Sequence, residues 1–420
     1  MTTYKVFPPH RLLCTVSLPA SKSISNRALI INALSGSTCP LQNVSDCDDT
    51  RVMVEALGTM PPVIDIMAAG TAMRFLTAYL STMPGHIHTI TGTERMQHRP
   101  IEVLVEALRS LGAEIEYAGE EGFPPLRITG RRLVGGKLSL PGNVSSQYIS
   151  ALLMIAPTMK YGLELTLVGG IISRPYIDMT LAIMTRYGAR AAWTDENVLK
   201  VEPVTYRPVP FMIENDWSAA SYWYQMVAIS PDAQACVELP GLFAESTQGD
   251  SAVARLFEPL GVSTEYVESG VRLTKGAASR ETVTESLLSQ PDLAQTLVVT
   301  CAMQNRPFTF GGLQTLRIKE TDRIAALQKE LAKLGYPLRD RQVELPDGKT
   351  DLQLLWDGKR TAELPAPRIA TYEDHRMAMA FAPCALVRGS IEIDHPEVVT
   401  KSYPGYWDTL RRAGFQITEV

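Results

Sequence analysis

No apolar run in the 420 residues comes near the ~18 uninterrupted positions that a membrane-crossing helix needs. The opening stretch, MTTYKVFPPHRLL, has no apolar signal core, so a cytosolic protein without membrane attachment is expected. There are six cysteines, Cys14, Cys39, Cys47, Cys236, Cys301 and Cys384, and no C-x-x-C pair among them. Their scatter through apolar or strand-like stretches favours free thiols over disulfides or zinc. Positive charge is in short supply too. With 40 Lys and Arg against 45 Asp and Glu the formal charge is −5, which argues against a nucleic-acid binder with a broad basic face. Any anion must therefore be held by a local cluster of bases. His86 and His88 are spaced as metal ligands can be, but no third ligand stands near them, so they read as surface histidines and no metal is expected.

What is present is ordinary globular composition, 45% hydrophobic and 20% charged, in a chain long enough for two domains. It repeats itself. A helical pattern closed by Gly and followed by a short strand recurs at Gly58, Gly112, Gly188, Gly261, Gly335 and Gly414. A second kind of helix, with a small polar head and an apolar body, recurs between them: SKSISNRALI, AGTAMRFLTAYL, NVSSQYISALLM, DWSAASYWYQM, QPDLAQTLVV and EDHRMAMAF. Six units follow, each with a buried apolar helix, an outer amphipathic helix and strands between. The last five glycines are about 73 to 79 residues apart, but Gly58 and Gly112 only about 54, so the first unit lacks most of its closing strands. Six such units divide into two domains of three, with the midpoint near Glu214 to Trp217.

The polar heads carry the chemistry. In LPASKSISNRALI, free N–H groups at a helix start stand beside Lys22, Ser23 and Arg27, which suits a phosphate or carboxylate, although an ordinary capped helix reads the same way. Asp46, Asp48 and Asp49 precede the next helix as capping acids should. Gly70 and Thr71 stand ahead of Arg74, and Gly admits a ligand close to the backbone. The loop GTERMQHRPIEVL offers Arg95 and Arg99 around a turn, with Pro100 starting a helix. Ser145, Ser146 and Gln147 are neutral donors suited to phosphate or sugar hydroxyls, and Ser173, Arg174 and Tyr176 lie beside a Gly turn. Asp292 heads an apolar helix, as an N-cap or as a carboxylate poised at a ligand. Lys319, Glu320, Asp322 and Arg323 open an amphipathic helix, and Lys401 precedes another. Glu373, Asp374, His375 and Arg376 open a wholly apolar helix, so that charged head must face a cleft or be neutralised.

Taken together, SKSISNRALI, DDTRVM, AGTAMR, RMQHRPI, SSQYISALLM, SRPYIDMTL, KETDR, TYEDHRMAMAF and TKSYPGYWDTL resemble the 5-enolpyruvylshikimate-3-phosphate synthase family, in family order from residue 18 to about 410. The resemblance implies a two-domain inside-out α/β barrel, the enolpyruvyl transferase fold, with six βαβαββ units. Residues 1–19 and 215–420 would form one domain and 20–214 the other, with the active site in the cleft between them. It implies transfer of the enolpyruvyl group of phosphoenolpyruvate to the 5-hydroxyl of shikimate 3-phosphate by a cytoplasmic monomer without a cofactor. Lys22, Gly70, Arg95, Gln147, Arg323, Arg376 and Lys401 are implied to hold phosphoenolpyruvate. Lys22, Ser23, Arg27, Ser145, Ser146, Gln147, Ser173, Tyr176, Asp292 and Lys319 are implied to hold shikimate 3-phosphate. Asp292 matches the residue proposed to take the hydroxyl proton and Glu320 the one proposed to deliver and remove the carbon proton, with Lys22 sharing proton transfer.

The chain departs from the family pattern at Ala68, Phe75 and Thr315, where Asn, Pro and Asn are usual. The first two flank Gly70 and bear on sensitivity to glyphosate, and the third bears on shikimate binding. A sister transferase acting on UDP-N-acetylglucosamine carries a cysteine in the loop matched by GTERMQHRPI, which has none here. A non-catalytic anion-binding relative would be expected to lose Asp292 or Glu320, and both are present.

Overall fold

A computed structural model describes residues 2–345, 348 and 350–420. The chain folds into two compact units, Met1–Pro19 with Asn215–Val420, and Ala20–Glu214. Among the described residues there are six sheets, and five of them have four strands. All five share one plan. Val63–Asp65 pairs in parallel with Ile87–Thr91, which pairs antiparallel with Leu126–Thr129, itself antiparallel to Glu114–Tyr117. The chain path between these strands is strand, buried helix, strand, outer helix, hairpin, which is the βαβαββ unit the sequence repeats imply. A parallel pair needs a crossover and the last pair only a turn, so one helix is sandwiched between the first two strands in sequence and the hairpin closes the edge.

The sixth sheet has only Leu41–Gln42 beside Phe211–Met212. After Leu41–Gln42 and the helix Asp48–Thr59 the chain passes directly to Val63–Asp65, so the hairpin of this unit is missing, as the short glycine spacing implies. Gly112, Gly188, Gly261, Gly335 and Gly414 all have left-handed φ, between 83° and 102°, and close their helices as expected. Gly58 differs. It lies inside its helix, and Met60, with φ 44°, takes the left-handed position, because no hairpin follows that requires the tight Gly turn. Pro100 likewise stands ahead of its helix, which spans Glu102–Ser110 with Ile101 at the cap.

Of the two compact units, the first, Asn215–Val420, is completed by the N-terminal segment. Leu13–Thr15 pairs in parallel with Cys236–Pro240, and Thr3–Phe7 lies antiparallel between Ile391–Asp394 and Gln416–Glu419, in the place a hairpin strand takes in the other sheets. In the second unit, by contrast, every strand comes from one continuous segment.

Within each unit three helices form the core. Every residue of Gly70–Ser81 is buried, and all but Gln147 of Ser146–Ile155; in the first unit the same holds for Ala294–Met303, His375–Phe381 and, except for Ser218, Trp217–Ile229. Outer helices bury one stripe. Glu102–Ser110 buries only Leu104, Val105, Ala107 and Leu108. Leu153→Ala, at 0% exposure in the core of the second unit, should lower the unfolding free energy by about 2–5 kcal/mol, measured by denaturant titration, because the surrounding helices cannot collapse onto the void.

Candidate functional site

In unit Ala20–Glu214 the cations gather at the N-terminal ends of the core helices. Ser21 caps the helix Lys22–Leu34 by accepting from the Ile24 N–H. This leaves Lys22 and Ser23 in the first turn and aims Arg27 inward. Arg27 is 2% exposed; its guanidinium donates to Thr180 Oγ1 at 2.7 Å, Ser150 Oγ at 3.1 Å and the Ser23 carbonyl at 2.9 Å. It lies 5.4 Å from the centroid of Phe75 and 6.0 Å from that of Tyr176. No carboxylate among the described residues pairs with it, and burial pushes it down to about 10, so the charge is held by neutral dipoles and ring faces. An anion arriving there would meet a cation that is already desolvated.

A second pair surrounds Gly70. Arg74, 6% exposed, donates to the Gly70 carbonyl at 2.7 Å and stacks over Tyr148, whose hydroxyl donates to the Pro100 carbonyl. A Cβ at residue 70 would lie 2.6 Å from both Arg74 Nη1 and Arg99 Nη1. Only Gly lets two guanidinium groups close on the helix start. Gln147 donates to Thr71 Oγ1 at 3.1 Å, joining Ser145–Gln147 to the same turn. Ser173, with φ 53°, opens the helix that carries Tyr176.

Arg95 sits exposed in the short helix Glu94–Gln97, and it is Arg99, next to Pro100, that approaches Gly70. Asp48 and Asp49 occupy the first helical turn, but the cap is Cys47 and no side chain caps it; Asp49, 3% exposed, instead stands 3.8 Å from Lys22 Nζ. Nor is His88 a surface residue. It is 4% exposed, with Nδ1 at 2.8 Å from the Pro61 carbonyl oxygen, because it faces inward from the strand Ile87–Thr91. No group of three His, Cys, Asp or Glu side chains able to hold a metal occurs among the described residues, and all six cysteines are free thiols.

In the other unit, acids and bases are interleaved. Asp292 lies in a single helical turn, Pro291–Leu293, and the cap positions of that turn and of the helix after it belong to Gln290 and Leu293. Arg323, 1% exposed, holds Asp374 at 2.7 Å, Glu320 at 2.9 Å and Asp292 at 3.2 Å. Arg376 reaches the other Asp292 oxygen at 2.7 Å, and Lys401 the other Glu320 oxygen at 3.4 Å. Burial opposes charge on Asp292, but Arg376, Lys319 and Arg323 overcome it and hold the carboxyl well below the usual range. Burial pushes Lys319 down, while Asp292 acts against that shift. The head of His375–Phe381 is therefore neutralised within its own unit. Asp374 caps that helix through the Arg376 N–H, 2.9 Å away, and pairs with Arg323 at the same time.

The expected residues thus form two sets. Lys22, Ser23, Arg27, Gly70, Gln147 and Tyr176 line the helix starts of one unit, and Asp292, Lys319, Glu320, Arg323, Arg376 and Lys401 form a charge network in the other. Sequence reasoning offered Arg99 and Asp374 among the candidates without a partner for either, and missed Asp49 as the neighbour of Lys22. The signal for Arg99 was its place directly before Pro100; nothing local singled out Asp49.

A family model, "EPSP synthase (3-phosphoshikimate 1-carboxyvinyltransferase)", matches residues 6–62 and 59–410. The chain belongs to the EPSP synthase family. A 3-phosphoshikimate 1-carboxyvinyltransferase of Bacteroides fragilis is 60% identical over 414 residues, covering 99% of this chain and 98% of the relative. One from Sulfurovum sp. (strain NBC37-1) is 35% identical, over 94% of this chain and 95% of its own. The fold is similar to that of EPSP synthase from Acinetobacter baumannii, with a TM-score of 0.76 at 21% identity over all of both chains. It is also similar to the enolpyruvyl transferase NikO from Streptomyces tendae, with a TM-score of 0.71 at 15% identity over 100% of this chain and 99% of that one. Both confirm the enolpyruvyl transferase fold expected from the motifs.

Removing one partner from this EPSP synthase-family network tests it. Asp374→Ala leaves the buried Arg323 short of its closest carboxylate and an apolar helix uncapped, and should lower stability by about 3–5 kcal/mol in denaturant unfolding.

Proposed function

We propose that this chain transfers the enolpyruvyl group of phosphoenolpyruvate to the 5-hydroxyl of shikimate 3-phosphate and releases phosphate; its relatives are named as carboxyvinyltransferases of 3-phosphoshikimate. The observation that carries the reading is the sharing of one buried guanidinium, Arg323, by the candidate base Asp292 and the candidate acid Glu320. Protonation of the phosphoenolpyruvate methylene carbon by Glu320 leaves the adjacent, phosphate-bearing carbon cationic. The 5-hydroxyl adds there, losing its proton to Asp292, and gives a tetrahedral ketal. Loss of phosphate and return of a methyl proton to Glu320 restore the vinyl group. Lys22 shares in proton transfer.

Both substrates are multiply anionic, and the cations present suit them. Lys22, Gly70, Gln147, Arg323, Arg376 and Lys401 serve phosphoenolpyruvate. Arg95 belongs to this set as well, and we add Arg99, which lies beside Gly70. Ser23, Arg27, Ser145, Ser146, Ser173, Tyr176, Asp292 and Lys319 serve shikimate 3-phosphate, with Lys22 and Gln147 touching both. Fixed cations around the departing phosphate stabilise its developing charge more than mobile water would. The proposed reaction uses neither metal nor organic cofactor. No helix among the described residues is long and apolar enough to cross a membrane, and the reading includes a cytoplasmic monomer.

A phosphate-release assay tests this. Shikimate 3-phosphate with phosphoenolpyruvate should release phosphate, and UDP-N-acetylglucosamine in its place should not. Glu320→Ala should lower kcat by ~10² or more. Arg95→Ala and Arg99→Ala should each raise KM for phosphoenolpyruvate by ~10-fold or more. Release with the nucleotide sugar instead, or full turnover by Glu320→Ala, would overturn the reading.

A further inference from the structure

We propose that Asp250 is a positioning residue for the acid–base chemistry, a second buried carboxyl group beside Asp292 that sets how strongly Asp292 holds a proton. The two short helical segments that carry them, Gly249–Ala252 and Pro291–Leu293, both pack on the helix Trp217–Ile229. In its first turn Ser218 donates a hydrogen bond to Asp250 Oδ2. One turn further on the same face, the Tyr222 hydroxyl oxygen accepts from Arg376 at 3.4 Å, and Arg376 holds Asp292 at 2.7 Å. Asp250 is 3% exposed, and its Oδ1 is buried without a hydrogen-bond partner. Among the described residues no cation reaches either oxygen within ion-pair distance, whereas Asp292 takes both Arg376 and Arg323.

A carboxylate so placed is poorly supported and a carboxylic acid is not. Burial first, and then the charge of Asp292, raise the Asp250 carboxyl to about 7; Ser218 and Arg376 oppose the shift and Asp216, which caps the same helix, adds to it. The pair is reciprocal. With Asp250 neutral, Asp292 feels no like charge and is a weaker base. As pH rises through the Asp250 midpoint its new charge makes Asp292 a stronger base, and a proton taken by Asp292 in turn releases Asp250 to ionise.

This rests on Asp292 as the base, so two readouts are needed. In full-length protein labelled with [γ-13C]aspartate, the carboxyl resonance missing from Asp250→Asn should titrate near neutrality, and its midpoint should fall by about a unit or more in Asp292→Asn. In steady state, kcat of the wild type should rise through neutral pH. Asp250→Asn should lose that rise and lie ~3- to 10-fold below wild type at high pH while matching it at low pH. An unmoved midpoint overturns the coupling whatever Asp292 does, and so does a uniform loss of kcat at every pH. A moved midpoint with an unaltered rate profile upholds the coupling and overturns Asp292 as the base.

Discussion

A single guanidinium organises the acid–base half of the structure. Arg323 is almost fully buried and carries three carboxylates from three separate segments, Asp292, Glu320 and Asp374. Desolvating that many charges is unfavourable unless each has its hydrogen bonds, and here the planar fork meets all three while Arg376 and Lys401 satisfy the remaining oxygens of Asp292 and Glu320. The consequence is chemical as well as structural. Two carboxylates with different proposed tasks are fixed by the same group, so neither can turn away without breaking a buried ion pair.

The other unit is built on the opposite principle. Arg27 and Arg74 are as buried as Arg376, yet their guanidinium groups rest on carbonyls, hydroxyls and aromatic rings and on no carboxylate. One unit is thus charge-balanced by its own acids and the other holds desolvated cations. That difference suits a reaction in which anionic substrates supply the missing charge and the acids handle protons. Phe75 belongs to this design, since its ring supports Arg27 at a position where the family pattern has Pro.

Much of the fold was legible because the six units repeat a local code. Five glycines close their helices with the expected left-handed turn, and the short interval after Gly58 corresponds to the missing hairpin. What local pattern could not show was the origin of strands in the unit containing the C-terminus. Thr3 pairs with Asp394, and no periodicity links residues so far apart. The site was legible to the level of helix heads and no finer. Arg95 and Arg99 share a loop and a residue type, and no local pattern shows that Arg99 is the one that comes close to Gly70. Asp49 reads as an ordinary first-turn acid, and its approach to Lys22 arises from the packing of two helices, which residue spacing does not encode.

The claim that Arg323 fixes the reacting carboxylates is tested most directly by kcat of Arg323→Lys, with circular dichroism confirming an unchanged fold. Lysine keeps the charge but is a point donor that cannot hold three carboxylates in one plane. The account predicts that kcat falls by ~10² or more while the protein remains folded. A folded Arg323→Lys enzyme with kcat within about twofold of wild type would contradict it.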